Sequence, residues 1–136
     1  MTALEAIGDL MNRIGFRRTT EDGTEYWELP AAAHNVNLSG GIQGGLLATL
    51  VDVAAGSAAL ATRPSGTGVV TSDLNIRYLR AVTEGTARAY TRIVHSGRRS
   101  TVVEVEVRVV PGDTLAVIAT ANFANVGFPG IGAPPA

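Results

Sequence analysis

One acidic residue, Asp52, stands in the middle of a long stretch that carries no other charge. The stretch runs from Gly41 to Ala61 and otherwise contains apolar, small or uncharged polar residues. An ionised carboxylate that loses water in such surroundings needs a compensating partner or a chemical purpose. Asp52 is therefore neutralised, paired with a cation such as Arg77, or present because a reaction needs it. We favour the reaction.

The segment that carries Asp52 is predicted to be a helix from Gly44 to Ala61. It contains no proline, and at 1.5 Å per residue it would be about 27 Å long. Asp52 lies well inside this helix and so cannot be its N-cap. Small residues surround Asp52 on the helix face, which would let a backbone or a slender ligand approach closely: Gly45, Ala48, Thr49, Ala55, Gly56 and Ala59. Packing on the chain's own sheet would use such a stripe equally well.

The remaining segments predict a helix and one antiparallel sheet. Thr2–Ile14 has apolar residues at a helical period, and Thr24–Leu29 has the bulky residues of a strand. His34–Gly45 is rich in Gly and Asn and is predicted to be a loop. A period of two in apolar residues, with turn signals between the segments, marks four further strand candidates: Val69–Arg80, Thr86–His95, Ser100–Val110 and Thr114–Val126. Their short connections favour antiparallel neighbours, so the fold class is α+β, with one apolar helix against the sheet.

Length and composition restrict the class of protein. The 136 residues suit one domain, which we place at 1–126, with a mobile tail at 127–136. A net charge of -1 argues against a nucleic-acid or membrane-surface partner. All 11 cationic residues are Arg, and the absence of Cys excludes disulfides and thiolate chemistry. His34 and His95 lack metal-ligand spacing, and no secretory signal is expected, so a cytoplasmic protein is predicted.

The apolar stretch around Asp52 also has to be considered as a membrane span. Its length is adequate for one. Its glycines, its central carboxylate and the strand-like segments on either side argue against that interpretation. We therefore expect no membrane partner.

The spacing of several motifs resembles that of the hotdog-fold acyl-CoA thioesterases, in the branch of the phenylacetate-pathway and hydroxybenzoyl-CoA thioesterases. The resemblance covers roughly Tyr26 to Val126. Family members typically have Asn, then His-Gly-Gly six residues on, then an acidic residue eight after the first of those glycines. Asn37, Gly44 and Asp52 keep those offsets. The matching segments are Asn37–Gly45, Leu50–Asp52 with Gly56, Val70–Arg80, and Gly97–Arg99.

Two positions depart from the family pattern. Gln43 stands where the family most often has His, and Ala81 stands where Pro commonly follows Tyr-Leu-Arg. The change at Ala81 adjusts a turn. The change at Gln43 matters more, because a glutamine can form hydrogen bonds but cannot titrate. It affects the expected rate or substrate rather than the expected fold.

The resemblance implies a role for each matching residue in thioester hydrolysis. The backbone N–H of Gly44, at a helix N-terminus, would stabilise the oxyanion, and Asn37 would orient the carbonyl. Asp52 would act as general base or as nucleophile, and Thr71 would hold the attacking water. Gln43 and Gly45 complete the site. Four arginines are candidates for the CoA phosphates, each of which could equally be a solvated surface charge: Arg77, Arg80, Arg98 and Arg99.

The resemblance also implies an assembly and leaves alternatives open. Two chains would pair their sheets, so that the site lies between protomers of a homodimer or homotetramer. No cofactor is expected, because CoA is part of the substrate. The alternatives to hydrolysis are a non-catalytic acyl-CoA binding or sensing protein, and a hotdog hydratase or dehydratase. The second generally needs a His beside an acid, and neither His34 nor His95 is placed for that.

Overall fold

A computed structural model describes residues 2–127. These residues form two helices and six strands: α1 (Ala3–Ile14), β1 (Arg17–Glu21), β2 (Thr24–Pro30), α2 (Gly44–Ala61), β3 (Thr67–Tyr78), β4 (Thr86–Ser96), β5 (Ser100–Val110) and β6 (Thr114–Gly127). The strands make one sheet in the order β1-β2-β4-β5-β6-β3. All neighbouring strands are antiparallel. The predicted α+β architecture, a sheet around one long helix, is confirmed.

The core lies between α2 and the inner face of the sheet. The buried residues of α2 are Leu47, Leu50, Val51, Ala54, Ala55 and Ala59. On β5, Val103, Val105 and Val107 are buried, while Glu104 and Glu106 lie on the opposite, outer face. Full burial of each of these valines stabilises the fold by about 1.5–3 kcal/mol. The central helix thus buries its apolar arc on the sheet and contacts strands β2 to β6, which fixes its position relative to them.

β1 is an element that the sequence pattern did not predict. Its five residues, Arg17–Glu21, are polar and mostly exposed, so no apolar alternation marks them. β1 pairs only with β2, at the edge of the sheet. Asp22 and Gly23 connect the two strands with φ values of 51° and 80°. An Asp-Gly pair between two strand-like runs is a typical hairpin signal, and it could have revealed β1.

The position of β3 differs from the expectation that strands joined by short links are neighbours. β3 pairs with β6 at one edge of the sheet, whereas β4 lies between β2 and β5. The link 79–85 does not form a tight turn, because its backbone groups bond to other segments. Ile42 N–H donates to Val82 O at 2.9 Å, and Ala31 N–H donates to Gly85 O at 2.9 Å. Within the described range 2–127, β3 therefore has a strand partner on one side only.

A buried ion-pair network lies on the outer face of β1, β2 and β4. Glu28 is 2% exposed, and it accepts hydrogen bonds from Arg88 Nε at 2.6 Å, Thr19 Oγ1 at 2.8 Å and Arg17 Nε at 3.2 Å. Burial by itself would raise the pKa of Glu28. The bonds from Arg88, Thr19 and Arg17, with the charge of Arg88, outweigh burial and lower the pKa below its usual 4.5. The pKa of Arg88 is raised despite its own burial, because Glu28 and Glu21 bind it.

β6 extends one residue beyond the predicted strand Thr114–Val126. Gly127, predicted as the first residue of a tail, pairs with Thr67 and is the last residue of β6. The remainder of the predicted tail, 128–136, lies outside the described residues. Among residues 2–127, α2 is the helix that is long and apolar enough to cross a membrane. The core helix of a sheet-wrapped domain has the same properties, so this is weak evidence for a span.

Candidate active site

The carboxylate of Asp52 is hydrogen-bonded to a hydroxyl on the neighbouring edge strand. Thr71 Oγ1 donates to Asp52 Oδ1 at 2.6 Å. Asp52 is half-buried. Thr71 lies opposite buried Phe123 of β6, on the sheet face toward α2. The register of β3 shifts directly after Thr71, at a β-bulge. The structure thus brings Asp52 and Thr71, which were both predicted to act on the attacking water, into direct contact.

The alternative of an ion pair between Asp52 and Arg77 is not present within the chain. Arg77 lies on the outer face of the sheet, in a shallow cavity beside Glu104 and Glu106. Asp52 is on the other side of that sheet, on α2. None of the ion pairs formed between residues 2 and 127 includes Asp52. A structural salt bridge therefore does not explain this carboxylate.

The first turn of α2 offers backbone donors. Gln43 is the N-cap, but its side chain makes no capping hydrogen bond. Its carbonyl accepts from Leu46 N–H at 2.9 Å and from Leu47 N–H at 3.1 Å. In the part of the chain that the structure describes, the N–H groups of Gly44 and Gly45 have no acceptor. The helix dipole adds a partial positive charge at this end, so the two groups can stabilise an anion.

Asn37 lies beside the helix N-terminus in the predicted loop. Its Oδ1 accepts from Ser39 N–H at 2.9 Å and from Gly41 N–H at 3.3 Å. This arrangement holds the loop in a turn and leaves the amide Nδ2 group to donate outward. Asn37, Gly44 and Arg80 share one cavity of about 310 Å³. Its complete lining is Asn37, Ser39, Gly41, Ile42, Gly44, Leu47, Tyr78, Leu79, Arg80 and Ala81.

The predicted site residues fall into two groups within one chain. Asn37, Gly44 and Arg80 surround the N-terminus of α2, whereas Asp52 and Thr71 lie further along the helix. Eight residues separate Gly44 from Asp52, which corresponds to a rise of about 12 Å. Groups that act on the same carbonyl must lie within about 3–3.5 Å of it. A single chain therefore does not assemble all the predicted catalytic groups around one substrate carbon.

The four predicted phosphate-binding arginines lie in three different places. Arg80 is at the cavity of Gly44, and Arg77 is on the outer face. Arg98 and Arg99 are exposed in the turn between β4 and β5. That turn is near the other end of α2, because Ser96 Oγ donates to Thr62 Oγ1 at 3.3 Å. Arg80 is thus the one of the four that adjoins the donors of the first turn.

Two residues at the site were missed as participants. Tyr78, quoted only as part of a motif, donates from its hydroxyl to Gly44 O at 2.6 Å. Asn35 is fully buried; its carbonyl accepts from Gln43 N–H at 3.0 Å, and its Nδ2 donates to Pro30 O at 2.9 Å. The aromatic residue at the end of a predicted strand was a signal for Tyr78. Nothing in the sequence distinguished Asn35 from other loop asparagines.

The chain belongs to the thioesterase superfamily. The model of that family matches residues 40–116, more than half of the chain. The matched segment includes Asp52, Thr71 and the first turn of α2. No protein of curated function matches the sequence.

Solved structures share both the fold and part of the sequence. A conserved protein from Pseudomonas aeruginosa is 35% identical, with 93% of this chain and 95% of that chain covered and a TM-score of 0.76. A Bacillus halodurans protein, solved with CoA, is 29% identical, with coverage of 92% and 87% and a TM-score of 0.81. A phenylacetic acid degradation-related protein from Ralstonia eutropha is 25% identical, with coverage of 85% and 89% and a TM-score of 0.73. The chain has the hotdog fold of thioesterases, as its motifs indicated.

Proposed function

We propose that this protein hydrolyses acyl-CoA thioesters, with Asp52 as the group that activates or replaces water. The observation that carries the proposal is the hydrogen bond from Thr71 Oγ1 to Asp52 Oδ1. It holds the carboxylate in one orientation and leaves Asp52 Oδ2 to accept a proton from water. Membership of the thioesterase superfamily supports thioester hydrolysis as the reaction class.

The chemistry divides between the two groups of residues. At the first turn of α2, Gly44 N–H stabilises the tetrahedral oxyanion, and Asn37 Nδ2 orients the thioester carbonyl. At the middle of α2, Asp52 either takes a proton from water or attacks the carbonyl directly, and the lone pairs of Thr71 Oγ1 position the water. The thiolate of CoA leaves when the intermediate collapses. A glycine at position 44 keeps the approach to its N–H free of a side chain.

A second copy of the chain supplies the missing half of each site. Because the rise along α2 separates Gly44 from Asp52 by about 12 Å, the two groups act on one carbonyl only if they come from different protomers. Among the residues that the structure describes, β3 has a strand partner on one side only, and a long unpaired edge favours pairing with another chain. A two-fold dimer joined along β3 contains two equivalent sites. A homotetramer would be a pair of such dimers.

CoA recognition is assigned to the cavity beside the first turn and to four arginines, of which Arg80 adjoins that cavity. Arg80 lines that cavity, and Arg77, Arg98 and Arg99 are exposed cations that a partner chain can bring nearer. The Bacillus halodurans protein solved with CoA supports CoA as the ligand class. Gln43 is exposed beside the donors, where it contributes hydrogen bonds without titrating.

Steady-state hydrolysis of an acyl-CoA panel tests the proposal. Aromatic and aliphatic acyl-CoAs are incubated with the protein, and free thiol is measured with a thiol reagent, with Asp52→Asn as the matched negative control. Thiol release that depends on Asp52 supports hydrolysis. CoA binding by calorimetry without thiol release would instead show a binding protein, and addition of water across an enoyl-CoA would show a hydratase.

A further inference from the structure

The first turn of α2 lacks the features that normally order a helix N-terminus. The N-cap residue Gln43 makes no side-chain capping bond. The next two residues, Gly44 and Gly45, are the residue type with the greatest backbone freedom. An uncapped turn that begins with two glycines is expected to fray. Something outside the helix must hold this turn if its N–H groups are to keep one direction.

Tyr78 makes the contacts that could hold it. Its hydroxyl donates to Gly44 O at 2.6 Å. Its ring also packs against the glycine, since a Cβ built on Gly44 would lie 3.5 Å from Tyr78 Cζ. The backbone of Tyr78 is held in the sheet, because this residue ends β3 and pairs with Val117 of β6. The hydroxyl therefore links the first helical turn to the rigid sheet.

The hydrogen bond acts on a particular peptide group. Gly44 C=O and Gly45 N–H belong to the same peptide unit, so fixing the carbonyl also fixes the direction of that N–H. An accepted hydrogen bond polarises the peptide and strengthens its N–H as a donor. Gly45 is exposed, and its N–H has no acceptor among residues 2–127. The Gly45 N–H is thus accessible beside that of Gly44.

We propose that Tyr78 is a positioning residue, whose hydroxyl orders the Gly44–Gly45 turn and sets the direction of the Gly45 N–H beside the oxyanion-binding N–H of Gly44. The hydroxyl does not react; it acts through the glycine backbone. The catalytic consequence rests on the proposed thioesterase function, whereas the ordering of the turn does not. The two can therefore be tested separately.

The test compares Tyr78→Phe with the wild type and with Tyr26→Phe. Tyr78→Phe keeps the ring and removes only the hydroxyl, and Tyr26, on the outer face beside Tyr90, controls for loss of a tyrosine hydroxyl. Backbone order parameters from ¹⁵N relaxation are measured at Gly44 and Gly45. We expect a fall from about 0.85 toward about 0.6 in Tyr78→Phe alone. The melting temperature and the order parameters elsewhere in α2 should remain close to those of the wild type.

Kinetics on the best substrate of the panel supply the second readout. We expect kcat to fall about tenfold in Tyr78→Phe with KM within about twofold, because the donors act mainly in the transition state. Unchanged order parameters at both glycines would overturn the proposal whatever the activity. A disordered turn with unchanged kcat would overturn the positioning role. If the wild type hydrolyses no substrate but Tyr78→Phe still lowers the order parameters at the two glycines, the proposed function is refuted and the ordering role of Tyr78 stands.

Discussion

The carboxylate of Asp52 and the hydroxyl of Thr71 are joined by a 2.6 Å hydrogen bond between the middle of α2 and the edge strand β3. The bond leaves one carboxylate oxygen of Asp52 free, and it comes from a residue directly before a β-bulge. No cation among the described residues pairs with this carboxylate. The arrangement is suited to activating water, and it leads to the first two predictions.

Asp52→Asn should lower hydrolysis by about 10² to 10⁴, the typical cost of losing a general base or nucleophile. The amide has the same shape but cannot accept a proton or attack. Activity is measured by thiol release, and folding by circular dichroism. Asp22→Asn, an exposed change in the hairpin between β1 and β2, is the control and should keep full activity. A variant at Asp52 that retains activity but loses thermal stability would show that this carboxylate is structural.

Thr71→Val should lower kcat, because valine has the shape of threonine but cannot orient the carboxylate or the water. Since one positioned hydrogen bond is lost, we expect a decrease of about tenfold or more. Thr71→Ser keeps the hydroxyl and should recover most of the rate. Equal activity of the Val and Ser variants would mean that the hydroxyl has no part in the reaction.

Mixed dimers test whether the site is shared. Asn37→Ala and Asp52→Ala, each inactive alone, are unfolded together and refolded to exchange subunits. In a mixed dimer one site collects both changes and the other receives none. Random pairing makes half the dimers mixed, so about a quarter of wild-type activity should return. Mass spectrometry confirms the exchange; activity no greater than the sum of the separate variants would place the whole site in one chain.

Gln43→His should add a titrating group beside the helix N-terminus. Because glutamine does not titrate, the wild-type rate profile should lack a limb from this position, and the variant should gain one near the ordinary histidine pKa of about 6.5. The measurement is kcat/KM as a function of pH. Identical profiles for both proteins would show that the side chain at position 43 points away from the substrate.

The Glu28 network predicts how stability depends on acid. The folded-state pKa of Glu28 is lowered, so its contribution is fully present above the unfolded pKa near 4.5. The contribution is lost as pH falls through the folded value. At neutral pH, Arg88→Met should cost about 3 kcal/mol in urea unfolding, since it leaves a buried carboxylate short of a partner. Arg92→Met, which breaks an exposed pair with Glu104, should cost less than about 1 kcal/mol.

The sequence pattern predicted the helices and strands better than it predicted the order of the strands in the sheet. The helix from Gly44 to Ala61 was predicted to the residue, because its apolar run is bounded by a Gly-rich loop and an Arg-Pro turn. The polar edge strand β1 was missed, since burial does not shape its composition. The place of β3 beside β6 was also missed. Pairing order depends on where the link 79–85 forms its hydrogen bonds, and no local pattern encodes that.

The candidate site was likewise predicted only in part: some of its residues were identified from the sequence, but their tertiary contacts were not. Asp52 stood out because a charge in an apolar helix is costly, and Thr71 was named as a candidate from the family motif, but the hydrogen bond between them was not predicted. Tyr78 and Asn35 act on backbone groups of the first turn and of its N-cap. Such contacts depend on distances between segments that are far apart in the sequence, so the residue type alone does not predict them. The side of the sheet on which Arg77 lies was likewise set by strand register.

The bulge in β3 lets one strand both place Thr71 beside Asp52 and pack Leu74 and Ile76 against the core. Val69 and Thr71 face α2 before the bulge, and Leu74 and Ile76 face the core after it. In a regular strand, residues on the same face are separated by an even number of positions, but Thr71 and Leu74 are three apart. Ser72 is the extra residue that lets Thr71 and Leu74 face the same side although they are three positions apart. Without the bulge to absorb that residue, the two faces of half the strand would be exchanged, and either the hydroxyl beside the carboxylate or the core side chains would turn outward.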